Sequence, residues 1–111
     1  MIYSISYTPP ATRDIRCILD YISYALFEPQ AALSVVNAIT ARISKLETMP
    51  VRYPVYRDWP VKTEKIHYFT VKNYVVFYSC NEKNLTVSIV RVIYGGRDIA
   101  AELKKTDSFH A

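Results

Sequence analysis

Between Asn73 and Asp98 the chain sets two runs of β-branched and aromatic residues around a polar turn, and this stretch limits the possible folds more than any other. The first run is Tyr74-Val75-Val76-Phe77-Tyr78 and the second is Val87-Ser88-Ile89-Val90-Arg91-Val92-Ile93, with Asn81-Glu82-Lys83-Asn84 between them. Such runs favour strands, and Asn residues tolerate the left-handed backbone that tight turns need, so the pattern predicts a β-hairpin. The second run ends at Gly95-Gly96, the only two glycines in 111 residues. A chain that avoids glycine elsewhere and places two in a row needs either unusual backbone angles or a close backbone approach there. Arg97 and Asp98 follow at once, and Asp98 is placed to cap a short helical run, Ile99-Ala100-Ala101-Glu102-Leu103. One reading is a strand-to-helix turn that requires permissive residues. The other is that the turn holds Tyr94 and Arg97 at the rim of a functional surface.

The N-terminal half has a different period. Ile2 to Tyr7 alternates, with Tyr3, Ile5 and Tyr7 against Ser4 and Ser6, and predicts a first strand. Thr8-Pro9-Pro10 then reads as a helix start, with Thr8 as N-cap and proline in the first turn, where a missing N–H costs little. Ala11, Ile15, Ile18, Ile22 and Leu26 form one helical stripe, and Ala32, Val36, Ile39, Ile43 and Leu46 form a second. Glu28-Pro29 separates the two, and Met49-Pro50 ends the second. The stretch from Met49 to Lys62, with three prolines and Trp59, predicts an ordered loop anchored by Tyr53, Tyr56 and Trp59. A strand is expected from Thr63 to Val71, with Lys72-Asn73 as the turn into the hairpin. The expected fold is α+β: a two-layer sandwich in which an N-terminal strand and an αα-hairpin pack on an antiparallel sheet, in the order β-α-α-β-β-β, with a short C-terminal helix.

The length suits one domain, expected to span residues 1–111. No apolar run approaches the ~20 residues of a membrane span, so no membrane association is expected. The N-terminus lacks the basic and apolar regions of a signal peptide, and Cys17 and Cys80 lack metal-ligand spacing; a cytoplasmic protein with two plain thiols and no metal or other cofactor is expected. The net charge is +4, and all of the excess lies in residues 51–98, which carry eight basic side chains against four acidic ones. A basic half-surface attracts an acidic protein segment or a nucleic-acid backbone through the same field.

No phosphate-binding loop, nucleophile elbow or metalloprotease motif is present. The remaining chemistry is a set of cations and tyrosines. Arg97, Tyr94, Arg91 and His67 form a candidate catalytic set for phosphodiester cleavage, with the arginines neutralising developing charge. Arg52, Arg57, Trp59, Lys65, Tyr68 and Arg97 form a candidate docking surface, because arginine and aromatic residues dominate interface hot spots.

Four motifs in order, Thr8-Pro9-Pro10-Ala11, Leu46-Glu47-Thr48-Met49-Pro50, Tyr74-Val75-Val76-Phe77-Tyr78 and Arg91-Val92-Ile93-Tyr94-Gly95-Gly96-Arg97-Asp98, resemble the RelE/ParE superfamily of bacterial type II toxin–antitoxin toxins, also called plasmid-stabilisation proteins. The resemblance spans about residues 2–103. It implies a growth-inhibiting toxin neutralised by a cognate antitoxin whose acidic C-terminal segment wraps it and adds a strand to a sheet edge. RelE-like and YoeB-like members cut mRNA on the ribosome, whereas ParE-like members inhibit DNA gyrase. Arg97 matches the arginine after the glycine turn and Tyr94 the terminal tyrosine of YoeB-like enzymes. The positions of the other nuclease residues hold Val75, Ile66, Tyr68, Ile93 and Leu103. The resemblance therefore favours a ParE-like toxin acting on gyrase, with an mRNA endonuclease or a non-toxic, antitoxin-binding remnant as the alternatives.

Overall fold

The computed structural model describes residues 2–106. Strand β1 (Ser4–Tyr7) leads to helix α1 (Pro9–Asp20), which continues through a π-helical turn at Tyr21–Ala25. Helix α2 (Pro29–Ser44) ends in a 3₁₀ turn at Lys45–Glu47. Strands β2 (His67–Val71), β3 (Tyr74–Asn81) and β4 (Thr86–Tyr94) and helix α3 (Ile99–Thr106) complete the chain. The helix start at Thr8-Pro9-Pro10 is as expected: the Thr8 hydroxyl accepts from the Ala11 N–H at 3.2 Å and donates to the Val90 carbonyl at 3.0 Å. One side chain thus caps a helix and ties it to the sheet.

The sheet has the order β1-β4-β3-β2. The β2-β3-β4 meander is antiparallel, as its tight turns require, and β1 joins it in parallel against β4, with Ser4 opposite Thr86 and Tyr7 opposite Ile89. The sheet is therefore mixed. The helical hairpin between β1 and the meander supplies the long connection that a parallel neighbour needs. Lys72 and Asn73 both take positive φ, 51° and 69°, the backbone of the primed two-residue hairpin turn. In the β3–β4 turn Leu85, not an asparagine, takes positive φ, while the Asn81 side chain accepts from the N–H groups of Lys83 and Asn84. The β3–β4 register shifts between Phe77, opposite Arg91, and Tyr78, opposite Ile89, leaving Val90 as the extra residue of a bulge.

Both faces of the sheet are covered. The helical hairpin lays Ala11, Ile18, Ile22, Ala32, Ile39, Ile43 and Leu46 on Phe69, Val76, Tyr78, Val87, Ile89 and Val92. On the opposite face Trp59, Ile66, Val75, Phe77, Val90, Ile93 and Leu103 form a second core, roofed by the 49–66 loop and α3. This double burial explains why β3 and β4 read as near-continuous apolar runs rather than alternating ones. Two expectations shift. Leu26, the last member of the first stripe, is 49% exposed, because the π-helical turn adds a residue and rotates it away from the core. The strand expected from Thr63 begins only at His67; Tyr56 N–H donates to the Ile66 carbonyl, so the preceding residues pair with the loop instead. No helix among the described residues is long and apolar enough to cross a membrane.

Candidate functional site

A groove of about 870 Å³ opens where the helical hairpin leaves the end of the sheet. Its mouth carries Arg13 from α1, Tyr21 from the π-helical turn, Lys72 and Tyr74 from the β2–β3 turn, and Tyr94 and Arg97 from the end of β4. Each element delivers its residue for a local reason. Lys72 is held outward by its left-handed backbone, and Tyr74 stands opposite Tyr94 in the strand register with the rings 5.6 Å apart at 61°, an edge-to-face pair.

The two glycines place Tyr94. Neither has positive φ; both serve close approach. The Gly95 N–H donates to the Asn73 carbonyl at 2.8 Å, and a Cβ there would stand 3.2 Å from that oxygen. At Gly96 a Cβ would lie 2.5 Å from the Tyr94 ring, so the ring folds over bare backbone. Burial, reinforced by the neighbouring Tyr94 phenol, pushes the Tyr74 phenol above its ordinary pKa, and Arg97 pulls it partly back. Arg97 remains 65% exposed while donating to the Glu102 carboxylate at 3.1 Å. Asp98 caps α3, accepting from the Ala101 N–H at 3.2 Å.

Of the candidate catalytic residues, Tyr94 and Arg97 meet at this mouth and the other two do not join them as free reactive groups. Arg91 is buried. Its Nε and Nη2 donate to the Asp14 carboxylate at 2.6 and 3.0 Å, and its Nη1 donates to the Glu102 carbonyl at 3.0 Å. Asp14 also accepts from the Val92 N–H at 2.9 Å; β4 has lost its β1 neighbour beyond Ile89, and the carboxylate satisfies the open edge. Arg91 thus ties α1, β4 and α3 together, which is a structural role. His67 is buried on β2, with Nδ1 2.7 Å from the Tyr53 carbonyl and its ring stacked on Tyr78 at 5.3 Å. It pairs with Tyr78, four positions along β3 from the Tyr74–Tyr94 pair, or ~13 Å at the usual strand rise. Such a histidine is a satisfied packing residue remote from the groove.

The candidate docking residues divide. Arg52, Arg57 and Lys65 are exposed on the loop side, with the Arg52 guanidinium 5.4 Å from the Tyr53 ring centre. Trp59 is only 3% exposed, donates to Glu64 at 3.2 Å and packs on Phe77, and Tyr68 lies against Tyr56 and the second core. Trp59 is therefore a core anchor rather than a contact residue, because the loop folds its aromatics inward over an otherwise bare sheet face. Cys17 is exposed on the groove wall, and neither cysteine is in a disulfide. Among the described residues no group of three or more His, Cys, Asp or Glu side chains is placed to hold a metal. Sequence reasoning passed over Arg13, Lys72 and Tyr74. Lys72 lies in the predicted turn and Tyr74 directly follows it, and that placement is the signal that points to them.

Residues 5–99 match the family model for the ParE toxin of the type II toxin–antitoxin system parDE. No curated protein matches the sequence. Among solved structures, the chromosomal ParDE system of P. aeruginosa aligns with a TM-score of 0.67 at 19% identity, covering 84% of this chain and 96% of that one. A free arginine-to-alanine double mutant of the E. coli toxin RelE aligns with a TM-score of 0.64 at 11% identity over 96% and 98% of the two chains. The RelBE2 toxin–antitoxin complex of Mycobacterium tuberculosis gives a TM-score of 0.59 at 19% identity over 85% and 99%.

Proposed function

The chain belongs to the ParE toxin family of type II toxin–antitoxin systems, and from that premise we propose that it arrests growth by binding DNA gyrase, held in check by a cognate antitoxin, and not by cutting RNA. The observation that carries this reading is the state of the candidate nuclease residues. A phosphodiester cleavage site needs a proton acceptor and charge stabilisers converging on one point. Here Arg91 reaches the groove wall but is committed to Asp14 and Glu102, His67 is buried at a distance, and Tyr94 and Arg97 are the two candidates left at the groove without a buried ion pair. Moreover Val75, Ile93 and Leu103, where the resemblance to RNA-cleaving relatives calls for reactive groups, are buried in the second core.

The antitoxin reading rests on charge. Arg13, Lys72 and Arg97 line the groove beside Tyr21, Leu26, Tyr74 and Tyr94, and two of its three carboxylates, Asp14 and Glu102, are paired with Arg91 and Arg97, an arrangement that suits an amphipathic segment with acidic flanks. Residues 1–111 then act as one toxin domain in the cytoplasm, where gyrase works, with Tyr94 and Arg97 in contact surfaces together with the cationic loop residues Arg52, Arg57 and Lys65.

Inducing the chain alone and profiling total RNA tests the mechanism. Growth should stop while translated mRNAs stay intact. Cleavage of translated mRNA that Arg97→Ala and Tyr94→Phe each reduce by orders of magnitude would replace this reading with an RNA endonuclease.

A further inference from the structure

From Tyr21 to Ala41 the chain carries a single charged side chain, Glu28, although charged residues make up 22% of the whole. The same segment forms the tip of the helical hairpin and the outer side of α2, and it leaves large apolar side chains in water. Phe27 is 84% exposed, Tyr24 75% and Leu33 56%, and none of the three lines the groove. The outward positions of α2 that recur at helical spacing, Gln30, Ser34, Asn37 and Ala41, are exposed and uncharged.

Phe27 is the least economical residue of this face. It holds φ at 56°, a conformation that a bulky side chain adopts only under strain and that glycine or asparagine takes freely at a helix end. Its ring belongs to neither core. Strain of this kind persists where something outside the local backbone favours the residue.

We propose that this face, the hairpin tip with the outer side of α2, is a twofold contact between two copies of this chain. The argument for a second copy is electrostatic. Two chains of net charge +4 repel, so they associate only through a surface that brings no like charges together. A twofold contact sets each residue against its own symmetry mate or near neighbours, which a charged face resists and a neutral one accepts. An acidic peptide or a nucleic acid finds no cation between Tyr21 and Ala41. Aromatic enrichment and depletion of charge at the centre are the composition such interfaces show. Tyr24, Phe27 and Leu33 do not line the groove, although their neighbours Tyr21, Leu26, Glu28, Ala31 and Val35 do, and the inference does not rest on the toxin reading.

Sedimentation equilibrium of the purified chain, free of other proteins, over about 1–200 μM tests it. The chain should show a monomer–dimer equilibrium with a dissociation constant on the order of 10 μM. Phe27→Gly should weaken the dimer at least tenfold while leaving the melting temperature of the monomer equal or higher, because glycine relieves the positive φ. Leu33→Arg, on a helical surface and therefore folded by circular dichroism, should weaken it comparably. A chain that stays monomeric throughout the range overturns the proposal, as does a dimer that neither substitution loosens. A Phe27→Gly protein that melts lower and dimerises normally would assign the ring to the monomer fold and overturn it too.

Discussion

Arg91→Ala should lower the stability of the folded chain by about 3–5 kcal/mol, the usual cost of removing one partner of a buried ion pair. The loss is large because three contacts go at once. Two are the Nε and Nη2 bonds to Asp14, which keeps its charge and the Val92 N–H, and the third is the Nη1 bond to the Glu102 carbonyl, which ties α3 to β4. A thermal melt followed by circular dichroism should show the midpoint falling by roughly 10–20 °C for a domain of this size. Removing both ends, as in Arg91→Met with Asp14→Leu, should recover part of that loss, since no unpaired charge then remains buried. An Arg91→Ala protein that melts like the parent would mean that the network with Asp14 and Glu102 contributes nothing and would return Arg91 to the list of reactive groups.

Trp59→Ala should be comparably destabilising, by about 3–5 kcal/mol, because it empties a filled core position. The indole is buried, packs 5.6 Å from the Phe77 ring and satisfies Glu64, so its removal opens a cavity under the 49–66 loop and strands a carboxylate. The melting midpoint reads this directly. A contact residue would behave in the opposite way, with stability unchanged and partner affinity lost. Phe77, fully buried at the centre of the same cluster, would share the loss of packing.

These two residues also mark where sequence reading stops. Local signals identified the four strands and three α-helices of the described residues, though not the π-helical turn or the start of β2: the Thr8-Pro9-Pro10 start, the stop at Met49-Pro50, and the two β runs joined by a polar turn. They act between neighbours, so neighbours reveal them. Arg91 finds Asp14 across 77 positions, and β1 finds β4 across 82, and no local period encodes either partner. Trp59 sits in a proline-rich loop whose aromatics fit an exposed contact and an inward cap equally well; only the bare second face of the sheet decides. The glycine pair was legible as a special turn, but its reason is the approach of Asn73 and the Tyr94 ring to the backbone, not a positive φ. The site itself was half visible. Tyr94 and Arg97 follow from the turn that holds them, whereas Arg13 and Tyr21 reach the groove through helix packing that the stripe pattern does not specify.

The proposed toxin mechanism stands or falls on the target. The most direct test adds the purified chain at rising concentration to purified gyrase and relaxed plasmid, with a translation extract carrying a reporter mRNA treated in parallel. Supercoiling should fall as the chain reaches stoichiometry with gyrase, while the reporter mRNA stays whole. Full supercoiling at saturating chain, together with a cut reporter, would contradict the account and place the chemistry at Tyr94 and Arg97.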